Sequence, residues 1–360
     1  MQATVPTGAP ALLLYCRPGF EGECAREISG LAAELGVWGH VRAKPDGGYL
    51  SFHPNDDAGA LLLRTKSRFA DLVFPRQWIH RARRVDGLPV TDRATPVAEA
   101  AAAIGENFSA FWIETADTNE AKELSSFCRR FAGPLEMALR ERNLLGDDPR
   151  LPRLHVFFLG SGAAWVGVTG AGNAAPWPMG IPRLKMPRGA PSRSTLKLAE
   201  AFLVFLGAEA QAEWLREGRT AVDLGAAPGG WTWQLVHRGL HVAAVDNGAL
   251  DPALLADDRV EHLRADGLTW RPKRPVDWLV CDMVEKPSRI ARLVGDWVAE
   301  GHCRRAIFNL KLPMKRRYDA VLDCRALIGE RLDAAGIKYR LRMRQLYHDR
   351  EEVTCYLETR

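Results

Sequence analysis

Cysteine is scarce and unpatterned. The seven residues, at positions 16, 24, 128, 281, 303, 324 and 355, are odd in number and scattered, with no C-x-x-C among them. That excludes a disulfide framework and offers no zinc site, and most of them read as core thiols. Long apolar runs are missing as well: Ala11 to Tyr15 and Ala201 to Leu206 fall far short of the roughly 20 residues of a membrane span. The N-terminus lacks a charged stretch ahead of a long hydrophobic one. A cytoplasmic protein is expected, a monomer that uses neither membrane nor metal. Internal repeats are absent, and so is the G-x-G-x-x-G of dinucleotide binders.

What is present suffices for several cores. At 360 residues, 47% of them hydrophobic, the chain has room for two or three domains that each bury an interior. The net charge of +5 is mild, but its distribution is not. Residues 304–318 hold six Arg and Lys and no acid, residues 183–197 hold five and none, and Arg76, Arg81, Arg83 and Arg84 crowd one short segment. Such clusters are either phosphate contacts or plain solvated faces.

Periodicity divides the chain. "ALLLYCR" reads as a strand, Gly19 to Leu35 as an amphipathic helix, Gly48 to Phe52 as a short strand, Asp56 to Leu63 as a helix and Ala70 to Ile79 as a strand. These form a small α+β unit, residues 1–85. "FWIET" as a strand, Asn119 to Phe131 and Pro134 to Arg142 as helices, and the paired strands "RLHVFFLG" and "AAWVGVTG" make a second unit, 86–172. Residues 173–193 are proline-rich and aperiodic, an irregular linker. From 194 to 360 strands alternate with helices, the pattern of a parallel sheet covered on both faces. Strands are expected at Ala221 to Leu224, Val242 to Val245, Val276 to Cys281 and Ala306 to Leu310, and helices at Leu196 to Leu206, Trp231 to His237, Pro287 to Ala299 and Tyr318 to Ala335. Two strands, Tyr339 to Gln345 and Val353 to Glu358, close the chain.

"AVDLGAAPGGWTWQLV" is strand, glycine-rich turn and helix, the place where a doubly wound sheet meets the nucleotide part of a ligand. Two details oppose a pyrophosphate. Asp223 sets an anion beside the turn, and Pro228 removes a backbone N–H that a phosphate would use. A cation suits the turn better, and S-adenosylmethionine carries a sulfonium and an amino group but no phosphate. Asp246, 23 residues after Asp223, can accept from ribose hydroxyls, and Asp266 in "RADG" is assigned to the adenine edge. The bland alternative is a structural βα turn.

"VDWLVCDMVEKP" ends one apolar strand on Asp282, and "AIFNLKLP" ends the next on Lys311. Carboxyl ends of parallel strands are where such folds place chemistry, and a lysine in an apolar run needs partners or a use. If Ser194 caps the following helix, Lys197 lies in its first turn, where a cation opposes the helix dipole. That points to function, against the plain reading of an exposed lysine. In "YHDREEVTCYLE", Glu351 and Glu352 alternate along a strand, so only one faces the site.

Together "SRSTLKL", "VDLGAAPGGWT", "VDNG", "VCDMVEKP", "IFNLKLPMKRRY" and "RQLYHDREEVT" resemble the bacterial 23S rRNA ribose 2'-O-methyltransferases of the RlmM type, relatives of the FtsJ/RrmJ class, over roughly residues 190–356. The resemblance implies an α/β fold, in which a Rossmann-like class I methyltransferase sheet follows smaller ferredoxin-like and THUMP α+β domains that bind RNA. It implies S-adenosylmethionine as cofactor, 23S rRNA as partner and a cytidine ribose as target. The family's Lys-Asp-Lys-Glu tetrad falls on Lys197, Asp282, Lys311 and Glu352, the valine after Glu352 selecting it over Glu351. The cofactor pocket falls on Ser194, Asp223, Gly225, Ala227, Pro228, Gly229, Gly230, Trp231, Asp246, Asp266 and Asp282. Ala227 stands where many relatives have cysteine, a small-for-small change. The basic runs supply the RNA contacts: Arg183, Lys185, Arg188, Arg193, Lys315, Arg316 and Arg317.

A ribose hydroxyl is a poor nucleophile that needs in-line placement and a base. Lysine at its ordinary pKa of about 10.4 is protonated; partial burial, with Lys197 beside Lys311, is expected to lower it. Lys311 is then the expected proton acceptor, with Asp282 and Glu352 orienting lysines and ribose. Two other readings are a non-catalytic RNA-binding ribosome-assembly factor that retains the fold, and a methyltransferase acting on a base or a protein. The intact tetrad opposes the first. "DMVE" stands where N6-adenine enzymes carry Asn/Asp-Pro-Pro-aromatic, which opposes the second, and Cys281 within an apolar strand reads as a core thiol.

Overall fold

Two seven-stranded sheets organise the chain, one in each of two units, Met1–Pro182 and Arg183–Arg360. The computed structural model describes residues 9–360. The first unit runs β1 (Ala11–Tyr15), α1 (Glu21–Glu34), β2 (Gly39–Ala43), β3 (Tyr49–Pro54), α2 (Asp57–Lys66), β4 (Gln77–Asp86), α3 (Ala94–Ala102), β5 (Ala110–Thr115), α4 (Asn119–Lys122), α5 (Ser125–Glu141), β6 (Arg153–Gly160) and β7 (Ala163–Thr169). Its sheet order is β2-β3-β1-β4-β7-β6-β5. The first six elements make the β-α-β-β-α-β pattern of a ferredoxin-like fold. β4 pairs with β1 on one side and β7 on the other, so the sheet is continuous across residues 85 and 86.

Several elements depart from the sequence reading for identifiable reasons. The strand expected over Ala70 to Ile79 opens instead as a 3-10 turn at Phe69–Asp71, and β4 begins only at Gln77. Between them the backbone N–H groups of Val73 and Phe74 donate to the buried Glu27 carboxylate at 2.6 and 2.9 Å, in place of a neighbouring strand. Helix α5 continues through Pro134 because Phe131, Leu135 and Leu139 bury one side of it, outweighing the one backbone bond that proline removes. The irregular stretch expected as a linker from residue 173 belongs, through Ile181, to the first unit. Asn173 accepts from Phe69 N at 2.7 Å and donates to Ser67 O at 3.0 Å, and Gln77 donates to Ala175 O at 2.9 Å.

The second unit runs α6 (Thr195–Phe205), α7 (Ala208–Trp214), β8 (Thr220–Leu224), α8 (Gly230–Val236), β9 (His241–Val245), α9 (Pro252–Leu255), β10 (Val260–Leu263), β11 (Val276–Cys281), α10 (Pro287–Ala299), β12 (Cys303–Lys311), α11 (Arg317–Ala334), β13 (Tyr339–Arg344) and β14 (Glu352–Thr359). The order β10-β9-β8-β11-β12-β14-β13 is parallel through β12, with β14 antiparallel to both its neighbours. Successive β11 residues Trp278 to Cys281 are all fully buried, so both faces of the sheet are covered. Leu198 and Phe202 of α6 and Leu235 of α8 pack on one face against Trp278, Val280 and Ile307. The strand order reverses between β8 and β11, which makes the carboxyl ends of these strands the natural ligand crevice. Among the described residues, no helix is long and apolar enough to cross a membrane.

Candidate active site

Strand register assembles the site. Lys311, the last residue of β12, lies directly across from Glu352, the first of β14, and two residues back Asn309 lies across from Thr354. Cys281 is level with Phe308 in the parallel pair, which sets Asp282 at the end of β11 beside Asn309. Side chains two apart on a strand share a face, so these residues converge on one point; a one-residue slip would turn the strand's contribution to the opposite face.

The four charged side chains interlock. Lys311 Nζ donates to Asp282 Oδ1 and to Glu352 Oε2. Lys197, in the first turn of α6, pairs with Glu352 Oε1 and lies 3.4 Å from Asp282 Oδ2. Its unfavourable place on the helix dipole is offset by these two carboxylates. Glu352 is 7% exposed at the side chain, whereas Glu351 is 57% exposed and pairs with Arg317 at 2.6 Å. Glu352 is therefore the acid within the cluster.

The expected lowering of the Lys311 pKa is not found. Burial alone would lower it, but the carboxylates of Asp282 and Glu352 outweigh burial and hold it above the ordinary lysine value. Burial and Lys197 were expected to prevail; the two acids already expected beside the lysines, Asp282 and Glu352, prevail instead. Burial pushes Glu352 up, but Lys311 and Lys197 pull it further down. The cluster pairs two lysines with two acids.

Behind it lies a chain of hydrogen bonds invisible in the motifs. Asn309 Nδ2 donates to Asp282 Oδ1 at 2.8 Å, and Thr354 Oγ1 lies 2.8 Å from Asn309 Oδ1 and 2.9 Å from Asp349 Oδ2. One hydroxyl hydrogen cannot serve both acceptors. Burial, helped by the charge of Glu352, holds Asp349 well above the usual carboxylate range, and its Oδ2 also accepts from the Leu346 backbone N–H at 2.9 Å. The amide of Asn309 thus turns its N–H toward Asp282 and its carbonyl toward Thr354. Glu200 of α6 accepts from the backbone N–H groups of Tyr347 and His348 at 2.8 and 2.9 Å, fastening the helix of Lys197 to the loop before Glu352.

The glycine-rich turn lies between β8 and α8. Gly229 adopts φ +113°, and a Cβ there would come within 2.2 Å of Leu254 Cδ1; a Cβ on Gly230 would come within 2.3 Å of Ser194 Oγ. These glycines admit neighbouring protein atoms at least as much as any ligand. Ser194 does not cap α6: its hydroxyl lies 2.6 Å from Ser192 Oγ, and its carbonyl accepts from the buried Trp231 indole at 3.1 Å. Asp223 is 1% exposed and accepts from Thr232 Oγ1 at 2.7 Å. It braces α8 rather than presenting an open anion, and burial pushes its pKa up to about 7, the Thr232 bond opposing and Asp282 and Asp246 adding. Asp246 accepts from Ala227 N at 3.0 Å and Gly248 N at 2.7 Å, tying the Gly225–Ala227–Pro228 turn to the end of β9. Asp266 is exposed and accepts from Leu268 N at 2.9 Å. Cys281 is fully buried, its thiol pushed up to about 12 by burial, an inert core group.

Of the cations expected to meet RNA, Arg183, Lys185, Arg188, Arg193, Lys315 and Arg316 are exposed. Arg316 pairs with Asp319 at 3.1 Å, and Arg317 is turned back onto Glu351. Val284 and Met314, two and three residues beyond Asp282 and Lys311, are each 91% exposed.

A parallel sheet extended by an antiparallel β14, with charged groups gathered at its strand ends, is the architecture of a methyltransferase, and residues 190–299 match the FtsJ-like methyltransferase model. Residues 9–79 match the RlmM ferredoxin-like domain, and residues 92–170 match ribosomal RNA large subunit methyltransferase M, N-terminal. The chain is 57% identical over 352 residues to ribosomal RNA large subunit methyltransferase M of Methylococcus capsulatus, covering 98% of this chain and 99% of that one. It is 54% identical to the protein of that name from Thauera aminoaromatica, over 96% and 95%, and 52% identical to that of Aromatoleum aromaticum, over 100% and 99%. The chain belongs to the ribosomal RNA large subunit methyltransferase M family.

Proposed function

We propose that this enzyme uses S-adenosylmethionine to methylate the 2'-hydroxyl of one ribose, a cytidine, in 23S rRNA. The observation that carries the reading is the interlocked cluster of Lys197, Asp282, Lys311 and Glu352 at the carboxyl ends of β11 and β12. The turn fits the cofactor: Asp246 spends one lone pair per oxygen on backbone N–H groups and keeps others for ribose hydroxyls, and Asp266 is exposed beyond it. No lysine or arginine lies in the segment 223–233, which suits a cation in place of a phosphate. Bound there, S-adenosylmethionine supplies an electrophilic methyl group on a sulfonium.

Lys311 would then accept the 2'-hydroxyl proton as that oxygen bonds the methyl carbon and the carbon–sulfur bond breaks, S-adenosylhomocysteine leaving as the neutral thioether. It must first lose its own proton, because the two carboxylates hold it as ammonium at rest. Lys197 shares both carboxylates and so weakens their hold on Lys311. Asn309 keeps Asp282 oriented throughout. Lys315 and Arg316, exposed just beyond Lys311, fit phosphates flanking the target ribose. Cys281 is sealed in the core, which opposes its use as the nucleophile of a methylation at a pyrimidine carbon.

The test is to incubate the protein with methyl-labelled S-adenosylmethionine and unmodified 23S rRNA, digest to nucleosides, and locate the label. Label on a cytidine 2'-oxygen is expected. Label on a base, or none, removes the reading, and none is what a non-catalytic assembly factor would give.

A further inference from the structure

The sheet of the N-terminal unit has two unlike faces. On one, Val97 and Ala101 of α3 and Leu135 and Leu139 of α5 pack on strand residues that include Val156 and Val166. On the other, the apolar cluster is Ala11, Leu13, Tyr15, Ile79, Ala82, Phe157 and Trp165, all from strands, with no helical residue among its buried members. Part of this face is roofed by the segment after β7, where Met179 N donates to Glu114, which also accepts from the Tyr15 hydroxyl at 2.8 Å. The remainder is an open groove of about 490 Å³ over β2, β3, β1, β4 and β7.

The groove has the wrong charge for a resting surface. Arg42, Lys44 and Arg84 line it against a single acid, Asp86, which Arg84 already engages at 2.8 Å, while Arg83 lies across from Val166 and belongs to the helix-covered face. Three cations less one anion leave +2. Register places Arg42 across from Ser51 and His40 across from His53, on the same face. The His40 and His53 rings stack at 5.0 Å and 12°, and Tyr49 and Trp165 add aromatic surface beside them. Burial, with Arg42 and His40 adding, lowers His53 to about 4, so the ring is an uncharged plate at neutral pH. Cations set around flat uncharged rings match a polyanion with accessible bases. A duplex keeps its bases stacked inside and cannot use the rings, and a small anion has no need of them.

We propose that this open half of the sheet face binds a single-stranded RNA segment, with phosphates on Arg42 and Lys44 and bases against His53 and Tyr49. The proposal rests on the reading that the substrate is rRNA and adds where the N-terminal unit holds it.

The experiment uses the full chain, a fluorescently labelled single-stranded oligoribonucleotide, the same sequence as duplex, and 23S rRNA as methyl acceptor. The Arg42→Glu, Lys44→Glu double variant alters two exposed residues, one in an edge strand and one just past its end. It is expected to weaken single-strand binding at least tenfold and to flatten the salt dependence by about 1.4 in log–log slope, at about 0.7 per phosphate. His53→Ala is expected to weaken binding several-fold with the slope unchanged. Both should keep the parent's thermal midpoint and cofactor affinity. The inference is overturned if both variants bind single strands as the parent does, or if duplex binds as tightly as single strand and is equally weakened by His53→Ala. If the parent methylates 23S rRNA while the groove variants are unimpaired, only the groove assignment falls. If the parent neither binds the single strand nor methylates rRNA, the functional reading falls with it.

Discussion

The two sheets carry opposite electrostatic arrangements. At the ends of the C-terminal strands, two lysines face two acids, and all four side chains are at most 22% exposed. On the open face of the N-terminal sheet, Arg42 and Lys44 are exposed and Asp86 is the one acid of the groove. Charges that must be held at fixed positions for chemistry are paired and partly buried, because an unpaired buried charge is costly and a paired one is geometrically defined. Charges that recruit a polyanion gain by being left unmatched in water. On the roles proposed above, the contrast separates a site that reacts from a surface that holds.

Breaking the matched cluster should show the largest effect. Asp282→Ala removes the carboxylate shared by both lysines and Asn309. It is expected to lower the methylation rate on rRNA by about 10³-fold, within the range of a lost acid–base constellation, while RNA affinity changes little. A rate within tenfold of the parent would contradict the assignment.

Asp223 offers a test by pH. Buried in the fold it stays neutral up to about pH 7, whereas in the unfolded chain it ionises near 3.9. The folded chain thus holds a proton that the unfolded chain releases, so the group's contribution to stability is full below about pH 4 and is lost as pH rises through 7. Asp223→Asn cannot ionise and is expected to gain on the parent across that window, by up to about 4 kcal/mol at about 1.4 kcal/mol per pH unit. Urea unfolding at pH 5 and pH 8 measures it. A difference that does not change with pH would mean that Asp223 is ionised in the interior.

Smaller effects sharpen the comparison. Asn309→Ala leaves Asp282 without its amide donor, and is expected to cost about 10- to 100-fold in kcat, the worth of one buried hydrogen bond to a charged group. KM for rRNA should stay within a factor of two; a KM effect alone would make Asn309 a binding residue. The Lys315→Ala, Arg316→Ala pair should do the reverse, raising KM for rRNA several-fold with kcat intact. Loss of kcat there would move these cations from holding to reacting.

The difference between the sheets also governs what could be read from sequence. Lys311 was legible because a charge ending an apolar run is out of place, and Asp282 because it ends the preceding strand. Asn309 and Thr354 were not, since a polar residue within a buried strand gives no sign of its cross-strand partner, and that partnership is set by the antiparallel insertion of β14 between β12 and β13. The lysine pKa was misjudged for another reason: Asp282 and Glu352 were both legible, but whether their charge outweighs burial depends on how closely the fold packs them on Lys311. The ferredoxin-like order was largely visible, but β2, exposed at nearly every residue, has no alternation to betray it, and α3, built mostly of alanine, has little contrast between its faces. Pro228, Gly229 and Gly230 marked the turn correctly, yet two of the glycines prove to make room for Leu254 and Ser194. The open face of the N-terminal sheet exists only once β1, β3, β4 and β7 are paired, and no local pattern announces it.

The central claim is that Lys311 takes the ribose proton. Single-turnover methylation of 23S rRNA at saturating S-adenosylmethionine, followed from pH 6 to pH 10 for the parent and for Lys311→Ala, tests it most directly. The account predicts a parent rate that climbs about tenfold per pH unit until Lys311 has lost its proton, and a variant rate lower by about 10³-fold that no longer follows that rise. A Lys311→Ala enzyme that methylates at the parent's rate near neutral pH would contradict it.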